Sequence, residues 1–133
     1  MIKVIIFDFN GVIYTDDYDT RLLDFIRRLR KDYKIGIISN YSPAGYKKYI
    51  EPIKGYFDDI VISSHVGLAK PQPEIYHLAA KRLDAQPSEC VYIDDEDYRV
   101  EGAKRAGLEG IVYKDLDQMK SELNKILSSV ADN

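Results

Sequence analysis

Short, mostly apolar runs recur along the chain and predict five β-strands. They cover residues 2–7, 34–38, 60–62, 90–93 and 110–113. Within each run the apolar residues are consecutive instead of alternating with polar ones, which is typical of strands buried on both faces of a sheet.

The segments between these runs have the apolar spacing of amphipathic helices. Proline at the first helical position marks two helix starts, Ser42-Pro43 and Pro73-Glu74. Strand and helix thus alternate, which predicts an α/β fold: a three-layer α/β/α sandwich around a Rossmann-like, mostly parallel sheet of about five strands. The helical stripes are formed by Leu22, Leu23, Phe25, Ile26 and Leu29, by Ile75, Leu78, Ala79, Arg82 and Leu83, and by Leu116, Met119, Leu123, Ile126 and Leu127.

The composition predicts one domain, residues 1–133, because 133 residues with 45% hydrophobic content suffice for one core. The formal net charge is −3 and no basic block occurs, so a nucleic-acid partner is not indicated. We also expect no membrane partner and a cytoplasmic location, because no apolar run is long enough to span a bilayer and residues 2–7 are too few for a secretory signal. The single Cys90 is predicted to be a buried structural residue.

Polar residues follow the apolar runs at four places. These are Asp8-Phe9-Asn10-Gly11, Ser39-Asn40, the segment from Ser63-Ser64-His65 to Lys70-Pro71, and Asp94-Asp95. Because ligands of open parallel sheets bind beyond the carboxyl ends of the strands, we expect these groups to form one site.

The acids among them indicate a metal site. Asp8 at the end of an apolar strand is costly to bury alone, and Asp94 and Asp95 would repel it. A hard divalent cation, Mg²⁺, is the simplest relief. The alternative is that residues 94–97 form a solvated acidic turn before a helix.

The other strand-end groups indicate phosphate binding. Ser39-Asn40 offers a hydroxyl and an amide, and Lys70 stands in a proline-rich segment that fixes its approach. A helix N-terminus at Ser42-Pro43 would add backbone amides, although Ser42 also reads as a simple N-cap. Together, the acid, the hydroxyl, the lysine and the acid pair indicate a site that binds a phosphate group and a metal ion.

The order of these motifs resembles the haloacid dehalogenase-like (HAD) hydrolase superfamily. The four motifs span residues 1 to about 113: 7–12, 38–40, 70–76 and 92–95, the last followed by 100–103. A receiver domain of two-component signalling uses similar groups, but there the acid pair follows the first strand and the lysine follows the last. The order in this chain disfavours it.

The resemblance implies a phosphatase-like hydrolase in which Asp8 is the nucleophile that forms an aspartyl-phosphate. Ser39 and Lys70 would hold the phosphoryl oxygens, and Phe9, Gly11 and Asn40 would line the substrate position. Mg²⁺ would be held by Asp8, the Asn10 carbonyl and Asp95, with Asp94 as a ligand or its supporting partner. A carboxylate attacking phosphorus needs such cations to offset charge repulsion, so the resemblance agrees with the chemistry of the residues.

One position departs from the family pattern. Phosphatases of the family usually carry an aspartate two residues after the nucleophile as the acid and base, and here that residue is Asn10. An amide exchanges no proton, which predicts a loss of about 10²–10⁴-fold on poor leaving groups. Three interpretations stay open: a weak or specialised phosphohydrolase, a non-catalytic phosphate- or partner-binding relative, or a substitution that traps a complex. Arg99 is a smaller departure, because relatives often have asparagine there.

The motif spacing leaves no room for the cap domain that many relatives carry, so a capless core with an open site is expected. By the family tendency, an open site suits a macromolecular substrate or is closed by a neighbouring subunit. The expected substrate is a phosphorylated small molecule or a phosphoprotein, and a second copy in a homo-oligomer is the expected cover. Residues 13–19 resemble the family's short flap. Tyrosines near the site either form a contact surface or pack under loops: Tyr14, Tyr18, Tyr41, Tyr46 and Tyr49.

Overall fold

A five-stranded, fully parallel sheet forms the centre of the protein, with strands in the order β3-β2-β1-β4-β5. The structure is a computed structural model and describes residues 1–131. The five predicted strands are confirmed with small shifts at their ends. Their bounds are β1 Val4–Phe7, β2 Lys34–Ser39, β3 Asp59–Ile62, β4 Cys90–Asp94 and β5 Glu109–Val112.

Four longer helices connect or follow the strands: α1 Thr20–Leu29, α4 Pro73–Arg82, α5 Asp97–Arg105 and α6 Leu116–Ala131. Proline starts α4 as predicted. Ser42 caps the short helix α2, Pro43–Gly45, by accepting a hydrogen bond from the Gly45 amide at 3.0 Å. The chain then continues as a π-helix, Tyr46–Ile50, and a 3₁₀-helix, Glu51–Tyr56.

A short helix directly follows the third strand: Ser63–Val66 form α3. Gly67 ends it in the left-handed conformation, with φ of +70°, which glycine adopts without a steric penalty. A 3₁₀-helix at Pro87–Glu89 precedes β4.

Each face of the sheet has its own hydrophobic core. Alternate residues of a strand point to opposite faces, so Ile5 and Phe7 join the core under α1 and α6, while Val4 and Ile6 join the core under α4 and α5. Cys90 is fully buried in the second core, as predicted. The helices therefore cover both faces, and the predicted three-layer α/β/α sandwich is confirmed.

The strand order places a topological switch at β1. From β1 the chain moves to β2 and β3 on one side, then crosses to β4 and β5 on the other. No further domain interrupts the described residues between β1 and α4: residues 8–19 form a short flap, and the rest is α1, β2, β3 and short helices. None of the helices described is both long and apolar enough to cross a membrane.

Candidate active site

The register of the central strands gathers the four predicted groups at one edge of the sheet. Phe7 pairs with Ile37 of β2 and with Ile93 of β4, so the chain leaves all three strands at the same level. The Asp8 amide continues the ladder by donating to the Ile93 carbonyl at 2.8 Å. The site thus lies at the switch point of the sheet, where open α/β folds bind ligands.

Lys70 is the centre of the arrangement, and its side chain is fully buried. Its ammonium lies 2.8 Å from Asp8 Oδ1 and 3.0 Å from Asp94 Oδ2. It also lies within hydrogen-bond distance of the Ile38 carbonyl, at 2.9 Å, and of the Tyr92 hydroxyl, at 2.7 Å. A buried ammonium is stable only when it is paired and hydrogen-bonded in this way.

Asn40 holds the backbone of Lys70 in place. Its side-chain oxygen accepts from the Lys70 amide at 2.9 Å, and its side-chain nitrogen donates to the Lys70 carbonyl at 3.1 Å. The sequence suggested Asn40 as a substrate-binding residue, but both ends of its amide are engaged with this loop. Asn40 therefore joins the end of β2 to the loop that carries Lys70.

Asp8 and Ser39 each have an unpartnered oxygen in this buried setting. Asp8 is 2% exposed and Ser39 is 1% exposed. Within the described part of the chain, neither Asp8 Oδ2 nor Ser39 Oγ has a hydrogen-bond partner. Buried polar atoms are normally satisfied, so two such oxygens at one strand edge are suited to a polar ligand. Burial raises the pKa of Asp8 to about 7, with Lys70 opposing the shift and Asp94 adding to it.

Three carboxylates meet beside the lysine. One oxygen each from Asp8, Asp94 and Asp95 lies within 4.8 Å of the other two. One ammonium cannot balance three carboxylates, and the unpartnered Asp8 Oδ2 is free, so the donor set fits a hard divalent cation with oxygen ligands. The charge and the oxygen ligands of this cluster therefore fit Mg²⁺.

The two neighbouring aspartates differ in how their oxygens are used. Asp94 is fully buried: Oδ2 accepts from Lys70 and from the Tyr92 hydroxyl, and Oδ1 accepts from the Glu96 amide at 3.0 Å. Burial alone would raise the pKa of Asp94, but Lys70 and these hydrogen bonds lower it. Asp95 is exposed as a whole residue. Partial burial of its carboxyl and the neighbouring Asp94 raise the pKa of that carboxyl. Asp95 thus has the carboxylate that is more accessible to a cation.

Gly11 allows the flap to pass close to this acidic cluster. Its φ is +87°, and a β-carbon at this position would lie 2.2 Å from Asp95 Oδ2. The positive φ favours glycine here, and a side chain would also displace the Asp95 carboxylate. The Gly11 amide donates to the Tyr14 carbonyl at 2.8 Å, which closes the first turn of the flap.

Phe9 and Asn10, at the start of the flap, differ in their exposure to solvent. The Phe9 ring is fully buried and stacks on Tyr14 with 5.7 Å between ring centroids, so only the Phe9 backbone is left to face a ligand. Asn10, in contrast, is exposed at the start of the flap. The structure therefore leaves the Asn10 side chain free at the mouth of the site.

The tyrosines around the flap pack mainly against one another. Tyr14 lies 5.1 Å from both Tyr18 and Tyr49, measured between ring centroids, and the Tyr18 hydroxyl donates to the Tyr49 carbonyl at 2.7 Å. All are partly buried against the first core. This agrees with the interpretation that they pack under loops. His65 lies on α3 with its ring against Tyr46, at 4.9 Å.

Tyr92 is a site residue whose part the sequence reasoning missed. Burial first of all, and then Asp8 and Asp94, raise the pKa of its hydroxyl well above 10. Tyr92 stands two residues before Asp94, so both side chains point to the same face of β4. A polar tip in an otherwise apolar strand, in register with a strand-end acid, was the available signal.

The sequence is similar to a known family of enzymes. The profile of the family described as haloacid dehalogenase-like hydrolase matches residues 17–107. The D-ribitol-5-phosphate phosphatase of Bacteroides thetaiotaomicron is 29% identical over 124 residues, covering 87% of this chain and 60% of the relative. The glyceraldehyde 3-phosphate phosphatase of Methanopyrus kandleri is 38% identical over 79 residues, covering 57% of this chain and 34% of the relative.

Solved structures share the fold. A protein of Corynebacterium glutamicum superposes with a TM-score of 0.81 at 26% identity, covering 92% of this chain and 93% of that one. A HAD family enzyme of Bacteroides thetaiotaomicron, in complex with magnesium and inorganic phosphate, superposes with a TM-score of 0.68 at 25% identity, covering 73% of this chain and 54% of that one. Because the family profile matches more than half of the sequence, the chain belongs to the haloacid dehalogenase-like hydrolases, as a member without a cap domain in the described residues.

Proposed function

We propose that this protein is a Mg²⁺-dependent phosphatase that works through an aspartyl-phosphate on Asp8. The observation that carries the proposal is the buried Lys70–Asp8 pair, 2.8 Å between Nζ and Oδ1, with Asp8 Oδ2 and Ser39 Oγ unpartnered beside it. The free carboxylate oxygen can attack a phosphoryl group, and the lysine and the adjacent hydroxyl can stabilise the charge on it.

In the first step an Asp8 oxygen bonds to phosphorus, and the bond from phosphorus to the leaving oxygen breaks. The Lys70 ammonium places positive charge beside the phosphoryl oxygens and the Ser39 hydroxyl donates a hydrogen bond to them, since negative charge is concentrated there. The leaving oxygen departs as an anion or takes a proton from water. In the second step a water oxygen bonds to phosphorus and the bond from phosphorus to Asp8 breaks, which restores the Asp8 carboxylate. The proton that water loses stays on the departing inorganic phosphate or passes to solvent.

The metal ligands in this proposal are Asp8, Asp95 and the Asn10 backbone carbonyl, with Asp94 held behind them by Lys70, Tyr92 and the Glu96 amide. When bound, Mg²⁺ supplies positive charge that offsets the repulsion between a carboxylate and a phosphoryl anion. The excess of three acids over one buried lysine supports this assignment.

Asn10 sets the limits of the reaction. An aspartate here would protonate the leaving oxygen and then take a proton from water, and the amide does neither. Hydrolysis should therefore be slow for alkyl phosphates, by about 10²–10⁴-fold. It should be least impaired for acyl and aryl phosphates, whose leaving groups need no proton.

The substrate class we infer is a phosphorylated small molecule. The named relatives are phosphatases of D-ribitol 5-phosphate and glyceraldehyde 3-phosphate, although this chain spans only 60% and 34% of their lengths. With no inserted domain over the site, a phosphoprotein would also have access, and a second copy in a homo-oligomer would be needed to close it.

The test is Mg²⁺-dependent hydrolysis of acetyl phosphate and p-nitrophenyl phosphate by the native chain, Asp8→Asn and Asn10→Asp. We expect slow turnover by the native chain, none by Asp8→Asn, and faster turnover by Asn10→Asp, because its carboxylate can activate the attacking water; the gain on p-nitrophenyl phosphate should be smaller than the about 10²–10⁴-fold expected for alkyl phosphates. Chelation of the metal should abolish all turnover. Equal rates for the native chain and Asp8→Asn would rule out Asp8 as the nucleophile.

A second candidate is a phosphate- or partner-binding protein that has lost turnover. Asn10 is the observation that favours it, because the proton-transfer group is missing while the rest of the site is present. Turnover by Asn10→Asp alone, with a silent native chain that still binds inorganic phosphate, would select this candidate.

A further inference from the structure

The Tyr92 hydroxyl lies between the two charged groups that the proposed reaction depends on. Tyr92 is fully buried in the middle of β4. Its hydroxyl donates to Asp94 Oδ2 in a short hydrogen bond and accepts from the Lys70 ammonium at 2.7 Å. The contact to Lys70 is the shortest of the four that the ammonium makes.

A count of hydrogens shows what this hydroxyl does. The Lys70 ammonium has three N–H donors, while four oxygens lie within 3.0 Å of it, from Asp8, Ile38, Tyr92 and Asp94. Tyr92 supplies a fourth proton by donating its own to Asp94 Oδ2. The buried Asp94 is thereby satisfied without drawing the ammonium away from Asp8.

We propose that Tyr92 is a positioning residue for phosphoryl transfer: its hydroxyl bridges Lys70 and Asp94, whose charged groups also touch directly at 3.0 Å, and so holds the ammonium against Asp8. This inference rests on the proposed function, because it concerns the same site. Tyr92 does not itself reach the reacting atoms. It acts through Lys70, whose place decides how well the transferring phosphoryl group is held.

The hydroxyl, not the ring, carries this role. With phenylalanine at 92, Asp94 Oδ2 would lose a donor and Lys70 would lose an acceptor, so Asp94 would depend on the ammonium alone, which it already contacts at 3.0 Å, and would draw it closer. The ammonium would then move away from Asp8 Oδ1. Displacements well below 1 Å matter here, because a 1 Å misplacement of a catalytic group costs about 10²-fold in rate.

Tyr76 offers a matched control. It is fully buried in the same core, and its ring packs edge-on against Tyr92 at 5.4 Å between centroids. Its hydroxyl also makes a single-residue contact, donating to the Arg99 carbonyl at 2.7 Å, and that contact is not part of the lysine network. Tyr76→Phe thus removes a comparable buried hydrogen bond from the neighbouring ring.

The experiment compares Tyr92→Phe with Tyr76→Phe, both in the native chain and in the faster Asn10→Asp background. Circular dichroism at the assay temperature gives the folded fraction, and rates are expressed per folded molecule. We expect Tyr92→Phe to lower kcat by about tenfold or more with KM changed less than about threefold, because the lost alignment matters most in the transition state. Tyr76→Phe should keep both constants within about twofold.

Orthovanadate and inorganic phosphate, each with Mg²⁺, give a second readout that needs no turnover. Vanadate takes the five-coordinate shape of the transferring group, so its affinity should fall about tenfold in Tyr92→Phe, while phosphate affinity changes less than about threefold. Equal effects of the two substitutions on kcat and on vanadate would overturn the proposal.

The two proposals fail in different ways. If the Asn10→Asp background shows no turnover, the proposed function is contradicted, and vanadate affinity in the native chain then decides the role of Tyr92. If the native chain binds neither anion, both proposals are overturned.

Discussion

Single residues in this protein show how burial changes chemistry. Lys70 would be costly inside a sheet edge by itself, and it is stable because Asp8, Asp94, Tyr92 and a carbonyl surround it. Asp8 and Ser39 keep one unpartnered oxygen each in the same place. These two buried oxygens are therefore suited to hydrogen bonds or coordination with a polar ligand.

Cys90 gives a prediction at the same scale. Burial raises the pKa of its thiol to about 12, from an ordinary value of 9.0. Since the thiolate is the reactive form, iodoacetamide at pH 8.5 should label the native protein at least about tenfold more slowly than the urea-unfolded protein. The labelling rate of the native protein should rise with pH, because the ionised fraction of the thiol grows, and should stay below that of the unfolded chain.

The measurement is the mass of labelled protein against time, with Cys90→Ala as the unlabelled control. Equal labelling rates for folded and unfolded protein would show that Cys90 is accessible, contrary to its place in the core between β4 and the covering helices.

At the scale of elements, α1 depends on a side chain from the flap. Asp19 caps the helix by accepting from the Leu22 amide at 3.0 Å, and its own amide donates to the Ile13 carbonyl at 2.8 Å. The cap therefore joins the end of the flap to the helix that covers one face of the sheet.

Asp19→Ala should lower the free energy of unfolding by about 1 kcal/mol, because one of the unpaired amides at the helix start loses its acceptor. Asp19→Asn keeps an acceptor of the same length and should cost only a few tenths of that. Urea unfolding followed by circular dichroism measures both. Losses of the same size for alanine and asparagine would show that the hydrogen bond to Leu22 is not what stabilises this end of the helix.

Elements also show where sequence patterns succeed and where they do not. The five strands and the longer helices were predictable because their apolar residues repeat at clear periods. Residues 46–56 were not, since a π-helix followed by a 3₁₀-helix has neither period, and Ser63–Val66 is a single helical turn held by Gly67.

In the site, too, only the features with a local sequence pattern were predictable. Asp8, Ser39, Lys70 and the acid pair were predicted from their places after apolar runs, because parallel strands end at one edge. The bonds of Asn40 to Lys70 and of Tyr92 to Lys70 join residues 30 and 22 positions apart, and no local pattern encodes such contacts.

At the scale of the whole molecule, the strand order β3-β2-β1-β4-β5 brings distant parts of the sequence to one place. The nucleophile candidate ends the central strand, and its partners come from the strands on either side and from the loop before α4. Among the described residues only a short flap lies beside the site, which stays open.

The most direct test of the central claim is the intact mass of the native protein after brief exposure to acetyl phosphate and Mg²⁺, followed by acid quenching. Asp8 should attack phosphorus and release acetate, and Asn10 should slow the attack of water, so the phosphorylated protein should accumulate. We predict a gain of one phosphoryl group, located by peptide mapping to Asp8. The gain should not occur when Mg²⁺ is chelated before acetyl phosphate is added, nor in Asp8→Asn. An unchanged mass under these conditions, or a phosphoryl group that persists in Asp8→Asn, would contradict the account.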